Sequence, residues 1–244
     1  MRLDQATWLE VEEYLARSSG IIIPCGSTEQ HGPMGIIGTD AICAEIIANR
    51  VGDNVGALVA PTLAYTPAPF NMSFPGTMSV PEPLFETLVS TLVDGLRVQD
   101  FKAVYFVNGH GANLAPLNRI RDKQDTINIR IRSWWDFSSV NELREKCYGE
   151  WEGMHATPSE VAITQATHRI IEPGLAATPP RKLTKDYILT HAGDRHGPPD
   201  RHRDDFPDGR VGSHSALADP AHGRELLDAA VAAVGEDYCA FLEM

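Results

Sequence analysis

The chain has 244 residues, with 33 acidic side chains against 21 basic ones and a formal charge of -12. Hydrophobic residues at 43% and charged residues at 22% are ordinary globular usage, which excludes a disordered chain, a fibrous repeat and a disulfide-dense miniprotein. The acidic balance counts against nucleic acid and anionic membranes as partners, and no run approaches the ~20 apolar residues of a membrane span.

In chain order, residues 20–25 form a short β-branched run closed by Gly26, which reads as a buried strand. Asp40 to Val51 places Ile42, Cys43, Ile46 and Ile47 at helical spacing. Ala57 to Pro61 is a second short apolar run. Pro81 to Val98 repeats Leu84, Leu88, Leu92 and Leu96 every four residues, a helix with one apolar face. Lys102 to Val107 is the cleanest strand, and Asn113 is placed to cap the helix after it. Asn128 to Trp134 alternates Ile129 and Ile131 with Arg130 and Arg132, which suits a strand near a sheet edge. Pro158 to Ile170 and Pro220 to Leu242 are the last helices. Alternating strands and helices imply a parallel α/β fold in a single domain, 1–244. The stretch 172–219, rich in Pro, Gly, Asp and His, reads as a long functional or intersubunit loop.

Cys25, Cys43, Cys147 and Cys239 form no paired spacing, and Met1-Arg2-Leu3-Asp4-Gln5 lacks a signal peptide's apolar stretch. A reduced, cytoplasmic protein is the expectation.

Ligands of open parallel sheets bind beyond the carboxyl ends of the strands. Two glycine-rich loops sit there: Gly26 to Pro33, continuing to Thr39-Asp40, and Asn108 to Asn113. If their strands are neighbours, Glu29, His31, Asp40 and His110 converge. Each has a plainer reading: Asp40 or Thr39 as a helix cap, Glu29 and His31 as solvated loop residues. His110, between two glycines, is poorly placed for core packing. In a third segment, Thr157 to Glu160 reads as a capping box with Pro158 at the first helical position, which explains Glu160 structurally. His155 just before it is either an acid–base group or a loop histidine. Cys25 reads as a small core residue, and the irregularly spaced His191, His196, His202, His214 and His222 read as solvated or interface histidines.

The run Gly26 to Pro33 with Thr39-Asp40, then Phe74-Pro75-Gly76-Thr77, then Asn108 to Asn113, then His155-Ala156 and Glu160, resembles the creatininase (creatinine amidohydrolase) family. Gly209 to Gly212 and Ala218 to Gly223 resemble its closing stretch. The resemblance implies a three-layer α/β/α fold with a mostly parallel sheet, assembled as a homo-oligomer, a hexamer. It implies two divalent ions per subunit. Glu29, Asp40 and His110 would bind one, and His31 and a bridging Asp40 the other. Ala112 stands where creatininase proper has a Glu, which points to Glu160 as the fifth ligand. Three carboxylates and a bridging hydroxide balance two divalent ions. Nitrogen and oxygen donors suit Zn, Mn or Fe(II).

The implied chemistry is hydrolysis of a C–N bond in a small cyclic amide or formamide, with a metal-bridged hydroxide as nucleophile. His155 would protonate the leaving nitrogen, and Glu160 would act beside it. Trp151, matching a lid tryptophan of the family, is expected at the substrate with Ser73 and Gly111. Met154 stands where creatininase has a Glu, so creatinine itself is not the expected substrate. The rivals are a dinuclear-metal hydrolase of another bond, such as a phosphoester, and a non-catalytic metal-binding relative. A phosphatase should place Arg or Lys in the metal loops, and residues 26–40 and 108–113 hold none.

Overall fold

The computed structural model describes residues 1–243. The two apolar runs become strands β1 (Gly20–Cys25) and β3 (Ala103–Asn108), buried at all six positions each. Such runs need cover on both faces, and helices supply it. With β2 (Leu58–Val59) and β4 (Asn128–Ser133) they form an all-parallel sheet of order β2-β1-β3-β4. β1 pairs with β3 from Gly20↔Ala103 to Cys25↔Asn108. The short β2 and the arginine-bearing β4 are the edges.

One face is covered by α2 (Thr39–Val55), α5 (Ser138–Tyr148), α6 (Pro158–Thr167) and α9 (Pro220–Leu242), whose Ile47, Val51, Ile163 and Leu227 pack with Tyr105 and Val107 of the sheet. The other face meets α1 (Trp8–Leu15), α3 (Glu82–Val98) and α4 (Leu114–Arg121) through Tyr14, Phe85, Val89 and Leu117. The three-layer α/β/α expectation is met.

Several local expectations are corrected. The Leu84, Leu88 and Leu92 stripe of α3 is turned outward, 42–56% exposed, while Phe85, Val89 and Val93 face the sheet. An aromatic residue at Phe85 buries more area than a leucine, and this decides which of two apolar stripes points in. Asn113 stands at the start of α4 without capping it. Its amide instead donates to Gly26 O (2.9 Å) and to Asn108 Oδ1 (3.2 Å), tying the two strand-end loops together. The stretch 172–219 carries short helices α7 (Lys185–His191) and α8 (Pro199–Asp205) rather than bare loop. Helices α1 and α5 have no counterpart in the sequence reading.

The edge strand is clamped to α9 by Asp237. Its carboxylate accepts from Tyr105 Oη (2.8 Å) and from Arg132 Nε (3.2 Å), with Arg130 Nη1 at 3.3 Å. Burial raises the acid's affinity for a proton, but the Arg132 hydrogen bond and Tyr105 outweigh it, so its pKa lies below the ordinary value. A carboxyl depressed in the fold stabilises above its unfolded pKa of about 3.9 and loses that contribution as pH falls through the folded value. For this partly exposed group the effect is about 1 kcal/mol, or roughly 2–4 °C. Asp237→Asn is therefore expected to lower Tm by that amount at pH 7, with the gap to wild type closing below about pH 3.9. A pH-independent gap would contradict the assignment.

Candidate metal centre

Because β1 and β3 are parallel neighbours, their terminal loops leave the sheet side by side. Both press against the first turn of α2. A Cβ at Gly26 would lie 2.3 Å from Ala41 N, and one at Gly109 would lie 2.3 Å from Asp40 O. Only glycine permits these approaches, and they seat Asp40 between the two loops.

Gly38, not Asp40, is the N-cap of α2, and the Thr39 hydroxyl donates backward to Ile36 O. The capping readings of Asp40 and Thr39 are therefore set aside. Asp40 Oδ1 lies 2.9 Å from His31 Nε2, and Oδ2 lies 3.0 Å from His110 Nδ1. The Ser27 hydroxyl donates to Oδ2 at 2.8 Å. His110 Nδ1 is also 3.2 Å from Glu29 Oε1, and His31 Nε2 is 3.8 Å from Glu160 Oε1. Two donor sets result, Glu29–Asp40–His110 and His31–Asp40–Glu160, which share Asp40. A third grouping joins Glu29 and His31 to His155.

The Glu29 carboxylate is fully buried; Oε1 faces His110 Nδ1 without a well-aligned hydrogen bond, and Oε2 has no hydrogen-bond partner. An ionised carboxylate left so would cost several kcal/mol unless a cation meets it. Burial raises its pKa, and His110 only partly offsets this. Burial pushes Glu160 up to about 8 despite His31. Burial also opposes charge on Asp40, but His31 and His110 hold it well below the usual range. His31, though buried, is raised to about 10 by Asp40, and His110 is raised well above its ordinary value by Glu29 and Asp40. The cluster thus draws positive charge to its centre. Unpaired buried carboxylate oxygens, imidazoles and the absence of thiolate fit hard or borderline divalent cations.

The expected capping box of Glu160 is present as well: Thr157 N donates to Glu160 Oε1 (2.5 Å) and Glu160 N to Thr157 Oγ1 (3.3 Å). His155 is buried beside the cluster. Its Nδ1 is 3.5 Å from Glu29 Oε1, and its Nε2 meets Gln30 O (2.8 Å), Gln30 Nε2 (3.0 Å) and Asn71 Nδ2 (3.2 Å). Burial, then the nearby His31 charge, holds its pKa well below the ordinary value. Cys25 is a core residue, its thiol pushed up to about 12 by burial.

A cavity of about 300 Å³ opens over Asp40, His110, His155 and Glu160, walled by Trp134 and Trp135. Gly111 lines it; Ser73 and Trp151 do not. The Ser73 hydroxyl donates to Asp200 Oδ1 (2.8 Å), and Trp151 packs edge-on to His214 under Lys182. Two functional neighbours were missed. Asp194 enters from the 172–219 segment: its Oδ2 accepts from Ala112 N (3.0 Å) and lies 3.6 Å from His110 Nδ1. A Cβ at Gly111 would strike that carboxylate at 2.3 Å, so the glycine admits it. Arg144 lines the cavity from α5. Asp194, between Gly193 and Arg195 in an otherwise unassigned stretch, offered only its glycine as a signal; Arg144 offered none. His196 and His202 are also not solvated: both are buried edge-on to Phe70, ring centroids 5.0 and 5.1 Å away.

The sheet and the buried donor cluster define an α/β protein with a centre of metal-ligand type. The chain belongs to the creatininase family: the family model for creatinine amidohydrolase matches residues 4–237. It is 26% identical to creatinine amidohydrolase from Pseudomonas putida over 204 residues, 72% of this chain and 78% of that protein. It is 36% identical to the mycofactocin precursor peptide peptidase of Mycolicibacterium smegmatis over 104 residues, a match that spans 40% of this chain and only 41% of the peptidase. The Mn form of creatininase superposes with a TM-score of 0.76 at 20% identity, covering 99% of this chain and 98% of that one.

Asp40→Asn and Glu29→Gln are each expected to lower bound divalent metal about tenfold or more, read by plasma mass spectrometry of purified protein. Chelation should lower the wild-type Tm, because ions that bind only the folded chain stabilise it. Equal metal content in wild type and both variants would refute the assignment.

Proposed function

We propose that the chain is a metal-dependent hydrolase that cleaves the C–N bond of a small cyclic amide or formamide. The observation that carries this reading is the pair of buried donor sets sharing Asp40 on the floor of a small cavity. Glu29, Asp40 and His110 would hold one divalent ion, and His31, Asp40 and Glu160 a second; Zn, Mn or Fe(II) all suit these donors. When bound, such ions polarise a carbonyl and activate water.

The chain's own residues supply the rest. Trp134 and Trp135, at 87° to one another, offer flat and edge-on walls to a small planar amide. Gln30 and Asn71 fix the His155 ring by its Nε2 side, leaving Nδ1 toward Glu29 and the donor cluster. Held neutral by burial, His155 can take a proton released at the centre and return it to the leaving nitrogen, which would otherwise depart as a poor amide anion. Glu160, its oxygen shared with the Thr157 N–H, holds the cavity floor at a fixed height. Gly111 lines the same cavity and admits the Asp194 carboxylate to its wall. Substrate roles for Trp151 and Ser73 would require the 172–219 segment to rearrange, since Ser73 is tied to Asp200 there.

A reducing, cytoplasmic setting belongs to this proposal, supported by four unpaired thiols. Among the described residues no helix is long and apolar enough to cross a membrane. Self-association belongs to it too, as a hexamer, supported by the outward leucine stripe of α3. An amphipathic helix that shows water a second apolar stripe needs a partner face.

Two outcomes test the reading. His155→Ala is expected to retain its metal and lose roughly 100- to 10,000-fold in hydrolysis across a panel of hydantoins, formamides and creatinine; unchanged turnover would remove His155 from the mechanism, and no hydrolysis by metal-loaded wild type would remove the function. Leu88→Glu is expected to shift the sedimentation coefficient toward that of a monomer. A wild-type monomer at micromolar concentration would dispose of the oligomer.

A further inference from the structure

Among the described residues, Arg144 is the only cationic side chain besides the histidines in the wall of the cavity over the donor cluster, and the proposed hydrolysis does not use it. Its side chain is held on two sides. Nε donates to Glu152 Oε1 (2.9 Å), and Nη1 to Asn141 Oδ1 (2.7 Å). Glu152 is itself pinned, because the Ser159 hydroxyl at the start of α6 donates to the same oxygen. Among the described residues no acceptor meets Arg144 Nη2. In the same wall, the Arg144 guanidinium carbon lies 5.9 Å from the ring centroid of buried Trp134. A guanidinium fixed through two nitrogens loses little freedom when the third takes up a ligand, which is the arrangement of a recognition group rather than a solvated surface arginine.

We propose that Arg144 selects substrates whose amide carries a carboxylate, and that Nη2 receives that carboxylate. This rests on the amide-hydrolase reading for the identity of the scissile group. The acids that share the cavity wall, Asp40 and Glu160, would have their charge consumed by the divalent ions they hold, and Asp194 is engaged by Ala112 N. Arg144 then remains as the group that meets an anion. Glu152 already balances its charge, so a singly charged carboxylate fits better than a dianionic phosphate. The volume, at the low end of small-molecule sites, keeps the carboxylate close to the scissile amide.

The test compares N-formylglycine with its neutral N-methylamide on metal-loaded protein, by isothermal titration and by hydrolysis. Wild type is expected to bind the carboxylate about 10- to 100-fold more tightly than the methylamide. That preference should be lost in Arg144→Gln and in Arg144→Gln/Glu152→Gln, the second removing both charges so that no buried carboxylate is left unpaired. Arg144→Lys should keep only part of it, since an ammonium cannot hold Glu152 and a ligand in the same planar fork. Equal binding of the two probes by wild type overturns the inference. So does a preference that survives in the double variant, which would trace to the metals instead. Tighter binding of N-formylaminomethylphosphonate than of the carboxylate overturns it as well. The hydrolase reading fails separately: binding preference without turnover of either probe sinks the hydrolysis and leaves Arg144's role, whereas turnover of the methylamide without preference does the reverse.

Discussion

The structure is organised around a buried carboxylate that two histidines share. Asp40 sits in the first turn of α2, buried, between His31 and His110. Burying a charge without partners costs several kcal/mol, and here three acids, Glu29, Asp40 and Glu160, are buried within one cluster, with a half-buried Asp194 beside them. The fold tolerates this because the loops that bring the acids also bring histidines to face them. β1 delivers Glu29 and His31, β3 delivers His110, and the α6 entry delivers His155 and Glu160.

Holding those loops in register is the task of uncharged polar groups. Asn113 links Gly26 to Asn108, and Asn108 in turn donates to His110 O and to Ser133 at the end of β4. Gln30 reaches Asn71, His155 and Gly209, joining three segments far apart in sequence. These amides are neutral, so burying them costs far less than burying a charge. They set the positions; the charged residues supply the chemistry. The Asn113 amide was the natural candidate for a helix cap, but α4 opens through a 3-10 turn at Gly111–Asn113, and the side chain is worth more as a bridge between loops.

What the sequence made legible follows the same division. β1 and β3 are fully buried, so they read as unbroken apolar runs, and the loops after them announced themselves through glycine and donor residues. The outward leucine stripe of α3 misled because spacing alone cannot say which of two apolar faces meets the sheet; Phe85, Val89 and Val93 form the better-packed one. The placement of Asp194, His196, His202 and Arg144 was hidden for another reason. They come from segments without strong periodicity, and their roles depend on non-local packing against Gly111, Phe70 and Trp134 that no local pattern encodes.

Glu160 shows why weighing one role against another can mislead. As a capping-box residue it accepts the Thr157 N–H, and as a member of the donor cluster it stands 3.8 Å from His31. A carboxylate offers about four acceptor positions, so one oxygen can serve the helix start while another direction remains for a cation. The two roles reinforce each other. The cap fixes the side chain's rotamer, which removes the freedom a ligand would otherwise lose on binding, and the helix start places positive dipole against an acid that burial alone would leave protonated near neutrality. α6 packs against both α2 and α9, so the height of Glu160 over Asp40 is set by the core rather than by a loop. The acid that a capping pattern explains completely is thus also placed where an ion held by His31 and Asp40 would meet it.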